Sequence, residues 1–209
     1  MFFNPNAMLP LTAMGFLSPD CQCYAFDHRA NGYVRGEGFG AVILKPVDAA
    51  IRDGDSIRAV IRATGINQDG HTPGITLPSK TAQEALIRAT YAAGKVDMST
   101  TRFFEAHGTG TAAGDPIEAG AIAAAFAGNR GPDDPLYIGA IKASIGHLEG
   151  TSGLAGLIKT ICVLEKGIIP PNILLEKINP KIPADDWNIK VRLPQVVPDL
   201  EFAQTHGGC

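Results

Sequence analysis

E-A-H-G-T-G-T at 105–111 and I-K-A-S-I-G-H-L-E-G at 141–150 decide how this chain is read. Each sets a histidine among glycines and hydroxyl residues where an apolar run ends, and the second places Lys142 five residues before His147. An apolar run, a Gly-rich loop and an amphipathic run in that order predict a strand feeding a helix, and so an α/β layered fold. In such folds ligands gather at the carboxyl ends of strands, where His107 and His147 are expected to converge. Histidine is the one side chain whose ordinary pKa lies near neutrality, so a converged pair supplies a proton acceptor and a proton donor.

Working outward, L-Y-I-G-A-I (136–141) and T-R-F-F-E-A (101–106) are the strands that deliver the two loops. D-P-I-E-A-G-A-I-A-A-A-F-A (115–127) follows the first loop as a helix, with Asp115 placed to cap it and Pro116 in its first turn. S-G-L-A-G-L-I-K-T-I-C-V-L-E-K-G (152–167) follows the second, ending at Gly167 before Pro170 and Pro171. Ser79 opens a further helix that stops at Gly94, and D-A-A-I-R-D-G-D reads as a short helical connection ending at Gly54. G-F-G-A-V-I-L-K (38–45) and I-R-A-V-I-R-A-T-G-I (57–66) read as a buried and a half-exposed strand. Residues 1–36 carry only turn signals and read as irregular, 37–167 as the α/β core of one domain spanning 1–209, and 168–209 as a Pro-rich irregular tail.

The 209 residues, 45% hydrophobic and 19% charged, suit one globular domain. A net charge of −3 with scattered Lys and Arg points away from nucleic acid and acidic membranes. No apolar stretch approaches the roughly 20 residues of a membrane span, and the N-terminus lacks a basic leader. Cys21, Cys23, Cys162 and Cys209 have no metal-ligand spacing, so we expect no metal, no cofactor and a reduced, cytoplasmic setting.

Asp115 and Glu118, one helical turn apart, are placed to anchor Lys142. His71 reads as a substrate-side surface residue at most, and His28 and His206 as solvated or structural. Trp187 and the Phe103–Phe104 pair read as packing. Cys162 lies within an apolar helix, and Cys21 and Cys23 sit in a polar turn without the helix N-terminus or cation that makes a reactive thiolate.

These stretches, with G-F-L-S-P-D, F-D-H-R-A-N-G-Y-V-R-G-E-G, N-Q-D-G-H-T-P-G-I-T-L-P-S and I-G-H-L-E-G-T-S-G-L-A-G-L-I-K, closely resemble β-ketoacyl synthases. The chain looks like the ketosynthases of fungal highly reducing iterative type I polyketide synthases, and the likeness runs from about residue 3 to about residue 194. The resemblance implies a partial thiolase-like fold, a mixed sheet with packed helices, holding mostly the C-terminal half of a ketosynthase. It implies that His107 and His147 promote malonyl decarboxylation and stabilise the enolate, with Lys142 holding the second histidine. Glu105, Thr109, Thr111, Asp115, Glu118, Ser144 and Glu149 are then the supporting polar network.

The family's T-A-C-S-S-S-like cysteine string and its N-S-F-G-F-G-G-T-N-A-H segment are absent from these 209 residues. Ala143 and Ser144 stand where Thr-Asn is usual, and Cys21 where Gly is usual. Without the thiol an acyl group has no covalent station, so transacylation and condensation are lost. Decarboxylation, dehydration, isomerisation and cyclisation need proton movement and enolate stabilisation only.

Three functions are therefore weighed. The first is a free-standing truncated ketosynthase-like enzyme acting on a polyketide intermediate, free or carrier-bound. The second is a fragment of an intact ketosynthase catalysing decarboxylative Claisen condensation. The third is a non-catalytic binding partner of a polyketide synthase. Missing strands at both ends predict exposed edges and hence a homo-oligomer or a complex with a synthase, burying about 2,000 Å² or more.

Overall fold

The computed structural model of the chain describes residues 4–74 and 76–194. Its centre is a parallel sheet in the order β1–β2–β3, formed by Phe103–Glu105, Leu136–Gly139 and Ile189–Val191. Phe103 pairs with Tyr137 and Glu105 with Gly139, so β1 and β2 end level with each other. Leu136 pairs with Ile189 on the other side. The helices are α1 (Pro5–Ala13), α2 (Val47–Asp53), α3 (Lys80–Gly94), α4 (Gly114–Phe126), α5 (Lys142–Ile145) and α6 (Ser152–Lys166).

The core forms where α4 lies on the sheet. Ala119, Ile122 and Phe126 meet Leu136, Ile138, Ile189 and Val191, with Phe26, Leu175 and Ile182 closing the cluster. Phe126 takes Tyr91 and Phe104 edge-on, which ties α3 and β1 to the same core. Phe104 and Trp187 pack against this cluster. Buried Asp27 accepts the N–H groups of Glu176 (2.7 Å) and Lys177 (3.1 Å), fastening the segment after α1 to the Pro-rich stretch.

Helix boundaries follow local chemistry. Ser79 accepts the Ala82 N–H at 3.1 Å and opens α3. The short helical connection is α2, and α2 and α6 end at left-handed Gly54 and Gly167. α4 differs from expectation at its cap. The Gly114 N–H is accepted by the Thr111 hydroxyl, because the Asp115 carboxylate is turned to other backbone groups.

Residues 1–36 are not wholly irregular, since Asn4 accepts the Asn6 N–H and starts α1 with Pro5 at its first position. β3 lies inside the stretch expected to be an irregular tail. It is a three-residue strand that exists through pairing with β2. Residues 195–209, which include His206 and Cys209, lie outside the described residues.

The two strands expected at 38–45 and 57–66 are not formed; both runs are neither helix nor strand. They are held through helices instead. Gly38 accepts the Thr151 hydroxyl, Arg58 pairs with Glu165 of α6, and Arg62 reaches the Gly94 carbonyl at the end of α3. With no ladder neighbour, their apolar side chains are left in solvent: Phe39 is 100% exposed, Ile43 98% and Ile66 90%. Large apolar side chains bared in this number are ordinarily covered in a working protein.

A hydrophobic-surface dye should therefore bind the folded chain, and Phe39→Ser/Ile43→Ser should bind less of it with unchanged circular dichroism. Equal dye binding by the two proteins would mean that these side chains are covered.

Candidate active site

Both histidine loops leave the carboxyl ends of neighbouring parallel strands, β1 for His107 and β2 for His147. The Ala106 N–H bonds the Gly139 carbonyl at 2.8 Å and extends the pairing to the mouth of the site. Gly108 follows with φ +44°, where a Cβ would stand 2.3 Å from that of Ala140. Only glycine lets the loop turn so close to β2.

α4 holds this loop by its backbone. Glu118 accepts the His107 N–H at 2.6 Å through Oε1 and the Gly108 N–H at 2.8 Å through Oε2. Asp115 accepts the N–H groups of Gly110 (3.1 Å) and Phe26 (2.7 Å). Burial pushes Asp115 up to about 7 against those donors, and burial likewise raises Glu118. The Thr109 and Thr111 hydroxyls meet at 3.1 Å beside them.

His147 is fixed by the segment 33–36. Its N–H bonds the Val34 carbonyl (2.8 Å) and its carbonyl accepts the Gly36 N–H (2.9 Å), in a parallel bridge with Arg35. The imidazole Nδ1 accepts the Glu149 N–H at 2.9 Å and lies 3.0 Å from the Ser152 hydroxyl. Because a backbone N–H can only donate, the neutral ring must carry its proton on Nε2. Glu149 reaches back through a left-handed φ of 54°, which costs about 1 kcal/mol or more. Its carboxylate is held by Arg35 at 2.7 Å.

The two imidazoles meet edge to face with centroids 5.2 Å apart, and the Tyr33 ring packs tilted against His147 at 5.1 Å. Buried Lys142 lies beside them, its Nζ donating to the His107 carbonyl at 2.8 Å. The lysine therefore grips the first histidine's backbone, not the second histidine. Asp115 and Glu118, expected to anchor Lys142, bond backbone amides and reach it only as charges. Burial lowers the Lys142 pKa, with those charges and Glu105 opposing.

Burial first and the Lys142 charge second pull both histidines down to about 4. For His107, crowded by protein yet exposed at one edge, solvent tempers the first of these causes. At neutral pH the site thus holds two uncharged rings beside an ammonium.

Of the remaining candidates, Glu105 reaches the second loop by accepting the Ile141 N–H at 2.6 Å. Ser144 is exposed on α5 and is not drawn into the cluster. His71 is exposed, and His28 lies against Asp27 at 3.0 Å. Sequence reasoning missed Ser152, Tyr33 and Arg35 as partners of His147. Cys23, expected in a polar turn with no cation near it, is instead buried, with its sulfur accepting the Val34 N–H and the Lys142 charge nearby. Burial pushes the Cys23 thiol up, against the nearby Lys142.

A cavity of about 300 Å³ lined by Lys80, Gly120, Phe126, Trp187 and Ile189 lies at the opposite end of the strands and takes no part in this cluster. Among the described residues no group of His, Cys, Asp and Glu is arranged to hold a metal, and no helix is long and apolar enough to cross a membrane.

A chain whose two histidine loops close over adjacent parallel strands in this way has well-defined relatives. Residues 58–176 match the C-terminal domain of β-ketoacyl synthase and residues 1–50 its N-terminal domain. The chain belongs to the β-ketoacyl synthase family, with the thiolase-like α/β fold of ketosynthases. It is 60% identical to highly reducing polyketide synthase 40 of Fusarium mangiferae over 91% of its own length and 8% of that protein's. It is 56% identical to highly reducing polyketide synthase NEC1 of Pyricularia oryzae, over 94% of its length and 7% of that protein's. Among solved structures, the oxazolomycin ketosynthase domain OzmH KS7 of Streptomyces albus JA3453 superposes with a TM-score of 0.87 at 35% identity. That match covers 91% of this chain and 33% of that one. The ketosynthase from module 6 of the bacillaene synthase of Bacillus subtilis 168 gives 0.84 at 33% identity, covering 95% of this chain and 36% of its own. The chain thus spans less than a tenth of these curated relatives and about a third of the solved ketosynthases.

The depressed histidine pKa values carry a stability signature. Between pH 6.5 and about 4 the unfolded chain binds protons that folded His107 and His147 refuse, so these residues cost stability as pH falls through that window. Asp115, raised to about 7, acts in the opposite sense, so the comparison must be between variants. His107→Gln/His147→Gln should gain stability relative to the parent chain as pH falls from 7 to 4. A constant difference would mean that the rings titrate normally.

Proposed function

We propose that the chain serves polyketide biosynthesis, its His107–His147–Lys142 site promoting decarboxylation and enolate formation on a malonyl-type thioester. One observation carries this reading: the Glu149 N–H on Nδ1 leaves neutral His147 with its proton on Nε2, in a ring that packs edge to face with that of His107. A neutral donor suits an enolate oxygen, whose charge appears only as the reaction proceeds.

In the step assigned here, the bond between the carboxylate carbon and the α-carbon breaks and CO2 leaves. The electron pair passes into an enolate whose oxygen takes the His147 N–H. A proton relayed from solvent at the exposed edge of His107 to the α-carbon then yields the acetyl-type thioester. The buried Lys142 charge stabilises the developing anion and keeps both rings neutral. The same pair suits the dehydration, isomerisation or cyclisation of a polyketide intermediate, free or carrier-bound.

A second reading is favoured by the third of a ketosynthase that the chain spans and by the bare apolar runs at 38–45 and 57–66. Here the chain acts as part of an assembled ketosynthase, within a homo-oligomer or a polyketide synthase. A cysteine supplied by another segment holds the acyl group for decarboxylative Claisen condensation. Buried Cys23 does not suit that role.

Incubation of the chain with malonyl-coenzyme A or a malonyl-carrier protein should release the acetyl thioester, with His107→Ala and His147→Ala each roughly 100-fold slower. Because both rings stay neutral well below pH 6.5, the acid limb of kcat/KM should lie near pH 4. Equal rates in parent and variants would remove the catalytic reading and leave a binding partner of a synthase. Stoichiometric acylation of one of the chain's own cysteines would contradict the proton-transfer mechanism.

A further inference from the structure

Glu105 is the last residue of β1 and stands two positions before His107. Its Oε1 accepts the Ile141 N–H at 2.6 Å, the backbone group immediately before Lys142. Its Oε2 lies 2.6 Å from the Lys159 Nζ of α6, and both side chains are about nine-tenths buried. The contact supplies charge more than an aligned hydrogen bond, for Oε2 is otherwise without a hydrogen-bond partner.

The surroundings are shaped for this pair. A Cβ at Gly139 would stand 3.2 Å from Lys159 Nζ, and one at Gly156 3.3 Å from Glu105 Cγ, so two bare backbone positions clear the space. The Phe103 ring lies 5.3 Å from the same ammonium. Ser152, Gly156 and Lys159 fall at i, i+4 and i+7 on α6 and share one face. That face touches His147 through Ser152 and Glu105 through both Gly156 and Lys159.

We propose that Glu105 and Lys159 are a positioning pair that locks the Lys142–His147 loop and the site-facing side of α6 onto the strand carrying His107. Lys159 orients the carboxylate. The carboxylate fixes the Ile141 amide, and with it the start of the turn that presents Lys142. The same anchorage holds Ser152 against the His147 ring, so one buried ion pair registers both histidines. Neither residue reaches the space between the imidazoles; they act through Ile141 and Ser152.

The test uses the full 209-residue chain with Lys159→Met, which strands the carboxylate, and Lys159→Arg, which restores a cation. Amide exchange at Ile141 should accelerate roughly tenfold or more in Lys159→Met. The NMR shifts of the His147 ring should move, while exchange in β2 and in α4 stays as in the parent, and Lys159→Arg should recover most of both readouts. If Lys159→Met does not fold, the uncharged pair Glu105→Gln/Lys159→Met is read for the same local loss. A uniform rise in exchange across the sheet, or His147 shifts unchanged, would overturn the proposal. Malonyl decarboxylation is measured alongside, expected to fall roughly tenfold to 100-fold in kcat with little change in KM. That readout alone rests on the proposed reaction. Its absence in the parent chain would refute that reaction, and the amide and ring readouts would still decide the positioning pair.

Discussion

Four backbone N–H groups converge on two carboxylates in the first turns of α4, and the site hangs on that arrangement. Asp115 takes Phe26 and Gly110; Glu118 takes His107 and Gly108. A tight glycine loop leaving a parallel strand has no ladder to satisfy its amides, and an orphaned buried N–H is costly. The acids answer that need, and they draw the loop to the helix and the helix to the buried segment at Phe26. The lysine completes the frame from the second loop by donating to the His107 carbonyl, an acceptor that no carboxylate can serve.

The same frame sets the electrostatics. A buried ammonium among carboxylates could have left the histidines charged, yet the Lys142 charge acts on both rings while no carboxylate is among the causes of their shift, and burial works in the same direction. The Glu149 amide then fixes which nitrogen of His147 keeps its proton. A strained left-handed residue at the hinge of this contact, clamped by Arg35, fits a backbone held for function at local cost.

Much of this was legible in the sequence, for identifiable reasons. Ser79 and the glycines at 54 and 167 mark helix ends by chemistry that needs no tertiary contact. β1 and β2 are bracketed by the histidine loops, which also disclosed the site. The errors share one cause. A strand is made by its neighbour, so I-K-V at 189–191 becomes β3 by lying beside β2, while the more apolar runs at 38–45 and 57–66 find no partner and stay unpaired. Likewise the spacing of Asp115, Glu118 and Lys142 placed them together but could not say which backbone atom each meets, because those partners come from Phe26, Gly110 and His107, brought in by the fold. Ser152 and Arg35 escaped notice because their contact with His147 passes through a single 3-10 turn and a parallel bridge, both too short to leave a sequence period.

The central claim is that His147 is a neutral Nε2–H donor at working pH, and nitrogen NMR of the labelled chain tests it most directly. The account predicts an Nδ1 shift typical of an unprotonated acceptor and an Nε2 shift typical of N–H, both unchanged from pH 8 to below pH 6, with titration near 4. Averaged shifts from two exchanging tautomers, or a midpoint near 6.5, would contradict it.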